Sequence, residues 1–406
     1  MEKSLKVSSI LAVLIFVTQF ISLPYISWYN LLRYTTIVLV GLYVGIRIKI
    51  VLQKKYLLVN IIAVAFSFLT VFTSFLNRSR EINRDPFLAS IPFVASFVLV
   101  LLFMEISADY GMIKEIIRVF FKTAVVFTVV TDILIFAVPS LFEIYNQRYF
   151  VGTKFDVVYL HMLLSVFYLT QNLDNEIRSY KNIPLLLLSA WSIFIGIYVD
   201  CVTGILGTLI LLLLLVIIKN REELFLNGLF YFVIQALCFG FIFFYEFVLS
   251  NPTVEHFIVN IFGRDISLTA RTEVYETVPD ILTKHDGWLK GMGYGSSYEL
   301  GMRYGGFPDT QNGILEWIWQ VGIPTTVIMI LTFAFILSVS KNYMDESNRK
   351  MLLPLVAGVY LMSILGTAEI TISLMYFSLV VCVMGVAVGT CKDIECSNTE
   401  EDTQDE

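Results

Sequence analysis

The sequence predicts an all-α, polytopic integral membrane protein with one long polar loop. Three observations carry that expectation. Hydrophobic residues make up 57% of the chain and charged residues 15%, and the mean hydropathy is +0.76; such a composition belongs in a bilayer. Apolar runs near the roughly 20 residues that a helix needs to cross the hydrocarbon core recur about twelve times. A single extended polar segment, residues 251–311, interrupts them.

In chain order, helical spans are expected near 6–23, 31–47, 56–75, 87–105, 117–139, 155–171, 183–199, 202–218, 224–248, 312–340, 351–367 and 369–390. Residues 1–248 thus hold nine spans, 249–311 the loop, 312–390 three more, and 391–406 an acidic tail without apolar period, read as disordered. No A-x-A-like site follows the first apolar run, so it is read as a retained helix. The seventh and eighth spans meet at Asp200–Cys201 and the eleventh and twelfth near Gly366–Glu369, each pair forming a tight hairpin. Cys201, Cys238, Cys382, Cys391 and Cys396 lack C-x-x-C spacing, which points to neither a disulfide framework nor a zinc site.

Flanking charges set the orientation. With a cytoplasmic N-terminus, one face collects Lys3, Lys6, Arg47, Lys49, Lys54, Lys55, Lys114, Arg118, Arg178, Lys181, Lys219, Arg221, Lys341, Arg349, Lys350 and Lys392. The short loops opposite hold Arg33, Arg78, Arg80, Arg84, Arg148 and Lys154. Both termini are therefore expected in the cytoplasm and the long loop outside. The inner set is mostly lysine. The outer set, with Arg264, Arg271, Lys284, Lys290 and Arg303 of the loop, is mostly arginine. Arginine's planar fork binds phosphate bidentately, so the outer face is expected to meet a phosphorylated ligand. The plainer alternative is pairing with lipid headgroups or with acids such as Glu81 and Asp85.

The two halves of the chain show no repeat, which counts against an inverted-repeat transporter. The Gly41–Gly45 and Gly385–Gly389 spacings are expected to mark close helix contacts.

Within the loop, Arg271 opens a segment whose Val274, Val278, Ile281 and Leu282 recur at helical spacing. That pattern predicts an amphipathic helix on the membrane face, with Arg271 in its anion-favouring first turn. The glycine-rich stretch Gly291–Ser297 allows backbone to approach a ligand closely, but it follows no strand and is not a dinucleotide fingerprint. Asn312, Glu316 and Gln320 share one face of the tenth span, and a carboxylate one turn inside a membrane helix is either functional or paired. Asp132, Asp156, His161, Asp200 and Glu369 are further polar residues within spans or at their ends; His161 reads best as a satisfied interior histidine. Three scattered histidines, His161, His256 and His285, give no metal-ligand spacing.

From Arg271 to Pro324 the chain resembles the O-antigen ligase/polymerase family of bacterial membrane glycosyltransferases. The likeness rests on Arg271 beginning an outer helix, on Gly291, Gly293 and Gly295, and on Gln311–Asn312 entering a helix that reaches Gly322–Pro324. Val202–Leu215, and Arg148 with Gly152–Asp156, resemble the family more loosely. About a quarter of the chain carries the resemblance. Where the family commonly has His-Asn, this chain has Gln311–Asn312, and a glutamine cannot take a proton; Asp309, Glu316 and His285 are the remaining candidates for a base.

The resemblance implies a GT-C-like architecture in a bacterial cytoplasmic membrane. It also implies polymerisation of oligosaccharide repeats carried on polyprenyl diphosphate, making capsule or O-antigen on the outer leaflet. Arg271 and Arg148 would clamp the diphosphate, with Arg264 or Arg303 assisting. Asn312, Gln311, Gly293, Gly295 and His285 would contact substrate, and Asp309 or Glu316 would serve acid–base chemistry. No Asp-x-Asp cluster lies outside, so neither metal nor other cofactor is expected. Expected partners are lipid-linked oligosaccharides, membrane lipids, and a chain-length regulator and flippase of the same pathway, with no nucleic acid. Two alternatives stand beside this reading: transfer of finished polymer to a terminal acceptor by a ligase, and transport of the lipid-linked repeat by a flippase.

Overall fold

The structure, a computed structural model, describes residues 2–80, 82–140, 148–171, 183–256, 259–260, 271–344, 346–367, 369 and 374–390. Arg264, Cys391, Cys396 and the acidic tail lie outside the described residues. Among the described residues there is no strand, only an isolated bridge between Tyr149 and Gly152.

The longer helices are α1 (Glu2–Ile15), α2 (Tyr29–Ile46), α3 (Lys54–Leu76), α4 (Pro86–Asp109), α5 (Ile113–Ala137), α6 (Lys154–Gln171), α7 (Ile183–Tyr198), α8 (Val202–Asn220), α9 (Gly228–Leu249), α10 (Arg271–Lys284), α11 (Ser297–Tyr304), α12 (Gly313–Tyr343), α13 (Glu346–Leu365) and α14 (Leu374–Thr390). A π-helical turn, Phe16–Phe20, extends α1. A helix lies at each stretch expected to span. Of the described helices, six are long and apolar enough to cross a membrane: α2, α3, α4, α5, α9 and α12. The remaining apolar runs, such as Ile183–Tyr198 and Val202–Ile218, are shorter.

Burial separates the helices into centre and rim. Most described side chains of α6, of α13 from Met351 on, and of α14 are buried, as expected of helix stretches that are apolar on every side. The rim helices instead present apolar side chains outward, among them Ile46, Phe68, Leu187, Leu237 and Phe247. Water would penalise that surface at about 25 cal/mol per Å² of apolar area, whereas hydrocarbon would not. The Gly385–Gly389 spacing does mark close packing: a Cβ on either glycine would overlap Met104 or Ala108 of α4. Gly41–Gly45 does not. Gly41 meets only Leu99, at 3.7 Å, and Gly45 has nothing within 4 Å.

Contacts sort the helix ends. At one end, Tyr25 donates to the Arg148 carbonyl, Asn77 Nδ2 donates to the Lys290 carbonyl at 3.1 Å, and Lys154 Nζ donates to the Asp200 carbonyl at 2.9 Å. At the other, Lys55 pairs with Asp109 at 2.8 Å and Lys341 with Glu223 at 3.4 Å. Successive long helices therefore alternate in direction. Among the described residues, the arginine-bearing connections lie with Lys290 of the long loop at one end, and Lys55, Asp109, Glu223 and Lys341 lie at the other.

The loop is built onto α12. Gly322 breaks that helix with φ +80°. Pro324 has no N–H for the Gln320 carbonyl four residues back, so that acceptor is open. Gly293 N–H takes it at 3.0 Å, and Met292 N–H takes the Trp319 carbonyl at 2.6 Å. Loop donors thus replace the missing donors of the helix. Glycine is required on both sides of this seam, because a Cβ on Gly322 would overlap the Leu289 carbonyl and one on Gly291 would crowd the Gln320 carbonyl.

Candidate functional site

The amphipathic segment folds as predicted into α10, with Val274, Val278, Ile281 and Leu282 buried. Its apolar stripe differs from expectation in what covers it. Val278 and Leu282 are fully buried within the protein, so the helix packs on the bundle through that face and not on the membrane. Tyr275 extends the stripe and supplies its polar tip: the hydroxyl donates to the Gln311 carbonyl at 2.8 Å and to the Thr367 carbonyl at 3.2 Å. The start of α10 is thereby pinned between the loop before α12 and the turn after α13.

That placement carries Arg271 onto Glu369. The Arg271 guanidinium lies 2.7 Å from the Glu369 carboxylate, and each side chain is 14% exposed. Thr203 of α8 donates to the same carboxylate oxygen at 3.2 Å. Burial raises the Glu369 pKa above the usual carboxylate range, while Arg271, Thr203 and Lys154 pull it back only in part. Of the cations around residue 150, Lys154 is the one that acts on Glu369. Arg148, six residues earlier, is at the same end of the bundle with its side chain exposed. The structure thus sets Lys154 near the Arg271–Glu369 pair and leaves the Arg148 side chain exposed.

Asp309 stands beside this group. Burial, helped by the carboxylates of Glu316 and Glu369, pushes it up to about 6, against hydrogen bonds from Gln311. Those bonds are 3.0 Å from the Gln311 backbone N–H and 2.6 Å from its side-chain amide. Gln311 is held in the left-handed region at φ +52°, which turns its carbonyl toward Tyr275.

The other sequence candidates separate into structural and peripheral positions. Asn312 is fully buried and caps α12: its oxygen accepts from Leu315 N–H at 3.0 Å, and its amide donates to the Cys238 and Thr367 carbonyls at 2.9 and 3.1 Å. Glu316, 3% exposed, accepts from Ser297, from the Thr310 N–H at 3.3 Å and hydroxyl at 3.0 Å, and from Gln320 at 2.8 Å. Its oxygens are occupied in tying α11 and residues 305–311 to α12. Gly293 and Gly295 offer close backbone approach, but to protein: Gly295 N–H donates to Gln320 Oε1 at 3.1 Å, and a Cβ on Gly293 would crowd Pro86. His285 follows the far end of α10, about 21 Å from Arg271 along the helix at 1.5 Å per residue. It stacks on Tyr304 at 4.6 Å, and burial with Arg80 and Lys284 holds its pKa below the usual imidazole value. Arg303 is exposed on α11.

His161 is an interior histidine, as expected. It is 3% exposed, with Nδ1 donating to the Val157 carbonyl at 2.8 Å and Nε2 facing Asp132 at 3.3 Å. Sequence reasoning placed Glu369 among polar residues at span ends without joining it to Arg271, and gave no part to Thr203 or Tyr275. A carboxylate in an apolar hairpin was the available signal for Glu369; Thr203 and Tyr275 carried none.

Fold and site together define an all-α protein with membrane-length helices and a cation–carboxylate cluster where its long loop meets the bundle. Comparisons with known protein families, with characterised proteins and with solved structures found no match.

Proposed function

We propose that the protein is a membrane glycosyltransferase that joins oligosaccharide repeats carried on polyprenyl diphosphate into a surface polysaccharide. In this reading all twelve apolar helices cross the bacterial cytoplasmic membrane, both termini are cytoplasmic and the loop lies outside. The observation that carries the reading is the half-sequestered cluster of Arg271, Lys154, Glu369 and Asp309 at the arginine-rich end. It combines two cations for a departing diphosphate with a carboxylate that titrates at about 6.

The chemistry follows from those groups. An acceptor sugar hydroxyl loses its proton to Asp309, whose raised pKa suits a general base near neutrality. The oxygen attacks the anomeric carbon, and the bond from that carbon to the diphosphate oxygen breaks with its electron pair leaving on phosphate. Arg271 and Lys154 receive the developing charge as preorganised donors in a site shielded from bulk water. Arg271 must leave Glu369 to do so, and the Glu369 carboxylate, already costly to keep charged, then favours a proton. Asn312, Glu316 and the glycine seam hold the loop in place.

The test is polymerisation by purified protein supplied with defined lipid-linked repeats, with and without chelator. A ladder of lengthening products supports the reading. Passage of intact repeats across a vesicle wall without new glycosidic bonds contradicts it in favour of transport. Transfer only to a terminal acceptor contradicts it in favour of a ligase.

A further inference from the structure

Gln311 links the two halves of the proposed site by hydrogen bonds. On one side its carbonyl accepts from the Tyr275 hydroxyl at 2.8 Å, and Tyr275 stands one turn along α10 from Arg271. On the other side both of its donors converge on a single atom. The backbone N–H at 3.0 Å and the side-chain amide at 2.6 Å give to Asp309 Oδ1. Among the described residues no donor reaches Asp309 Oδ2, and that oxygen is not sealed inside the half-buried residue. The carboxyl group is thus held by one oxygen and presents the other.

A tight turn accounts for only part of this arrangement. An aspartate closes such a turn by itself, by accepting from the backbone N–H two residues on, so the 3.0 Å bond asks nothing of the Gln311 side chain. Two features do not follow from the turn. Residue 311 has φ +52°, where glycine sits at least cost and a glutamine is uncommon. Its amide, on a half-buried side chain, turns back to the carboxylate at 2.6 Å. Strained residues persist where their surroundings hold them, and they cluster at functional sites.

We propose that Gln311 is a positioning residue: its amide fixes Asp309 through Oδ1, so that Oδ2 is the atom that takes the proton of the acceptor hydroxyl. This rests on the glycosyltransferase reading. In the step itself the hydroxyl O–H bond breaks and its proton passes to Oδ2. The electron pair left on oxygen forms the bond to the anomeric carbon, and the pair of the broken bond leaves on the diphosphate. A hydrogen bond to Oδ1 also favours the carboxylate over the acid. It opposes burial and the facing carboxylates, Glu316 of α12 and Glu369 of the α13–α14 connection. Tyr275 of α10 faces Asp309 as well, its phenol pushed up by burial and so uncharged.

Gln311→Gly separates the turn from the amide. Glycine suits the left-handed backbone and keeps the N–H donor, so thermal unfolding is expected close to wild type. In purified full-length protein supplied with defined lipid-linked repeats, the midpoint of the turnover–pH profile should move up by about one pH unit, the order of one hydrogen bond to a charged group. Against a wild-type midpoint of about 6, turnover at that pH then falls about fivefold. Near about pH 8, where the carboxylate prevails in both proteins, kcat should stay about tenfold lower with KM little changed, because the freed carboxyl turns away from the acceptor. Gln311→Glu, of equal length but without the amide donor, should move the midpoint further, as a like charge is added. Infrared difference spectra against Asp309→Asn read the same midpoint from the carboxyl stretch without turnover. Wild-type midpoint and kcat in both variants overturn the proposal and leave Gln311 the turn alone. An infrared midpoint that moves in a protein forming no glycosidic bonds sustains the hold of Gln311 on Asp309 and removes the glycosyltransferase reading instead.

Discussion

Arg271 and Glu369, 98 residues apart, meet at 2.7 Å where the first turn of α10 touches the α13–α14 connection. This contact closes the long loop onto the bundle, and it pairs a cation with a carboxylate that burial would prefer to protonate. A partly buried pair of this kind is costly to break from one side, because the remaining charge is left uncompensated.

Arg271→Ala is therefore expected to destabilise the protein by about 3 kcal/mol, as a one-sided break of a buried pair. Adding Glu369→Gln should restore much of that loss by removing the stranded charge. Thermal unfolding in detergent of the two single variants and the double variant reads the coupling. Strictly additive losses would contradict a direct pair.

Asp309 predicts opposite pH trends for activity and stability. Its folded pKa, about 6, lies above the ordinary 3.8. The stability that its neutral form contributes is complete below about pH 4 and is lost as pH rises through about 6. Catalysis needs the carboxylate and is expected to rise across the same interval. Asp309→Asn should flatten the stability trend and abolish turnover. A turnover profile unchanged between pH 5 and 7 would remove Asp309 as the base.

Glu316→Ala is expected to cost about 3 kcal/mol, since it strands several buried donors at once, each worth about 1–3 kcal/mol when unpaired. The loss should appear first as protease cleavage within residues 297–311, where Ser297 and Thr310 lose their acceptor. A variant as protease-resistant and as stable as wild type would deny Glu316 its anchoring part.

In the α5–α6–α7 contact, His161 Nδ1 donates to a carbonyl and Trp191 Nε1 donates to Asp132 at 2.7 Å. Asp132→Ala, which leaves His161 Nε2 and Trp191 Nε1 without their Asp132 partner, should destabilise by about 2–3 kcal/mol, whereas Asp132→Asn, able to donate to Nε2, should cost much less. Equal losses in thermal unfolding would contradict this arrangement.

Much of the architecture was legible because membrane helices announce themselves. Apolar run length placed a helix at every expected stretch, and among the described residues the arginine-bearing connections meet one another at helix ends. The site was legible only in part. Arg271 and the stripe of α10 could be read from local spacing, but not what covers the stripe, since burial by protein and burial by lipid give the same pattern. Gly293 and Gly295 carry the composition of a ligand loop, yet they serve a seam that exists because Pro324 leaves a carbonyl open. Asn312 and Glu316 stand at a helix mouth as functional groups would, and the structure spends their hydrogen bonds on the fold. Glu369 escaped assignment to the site because its partner lies 98 residues away, beyond any periodicity.

The central claim is that Arg271 receives the charge of a departing lipid diphosphate. Single-turnover polymerisation of defined lipid-linked repeats by purified wild type, Arg271→Lys and Arg271→Ala, compared at equal folded fraction, tests it most directly. Loss of one charged transition-state donor predicts a fall of about a hundredfold or more for alanine, and a substantial loss for lysine, which lacks the bidentate fork. Polymer formed by Arg271→Ala at the wild-type rate would contradict the account.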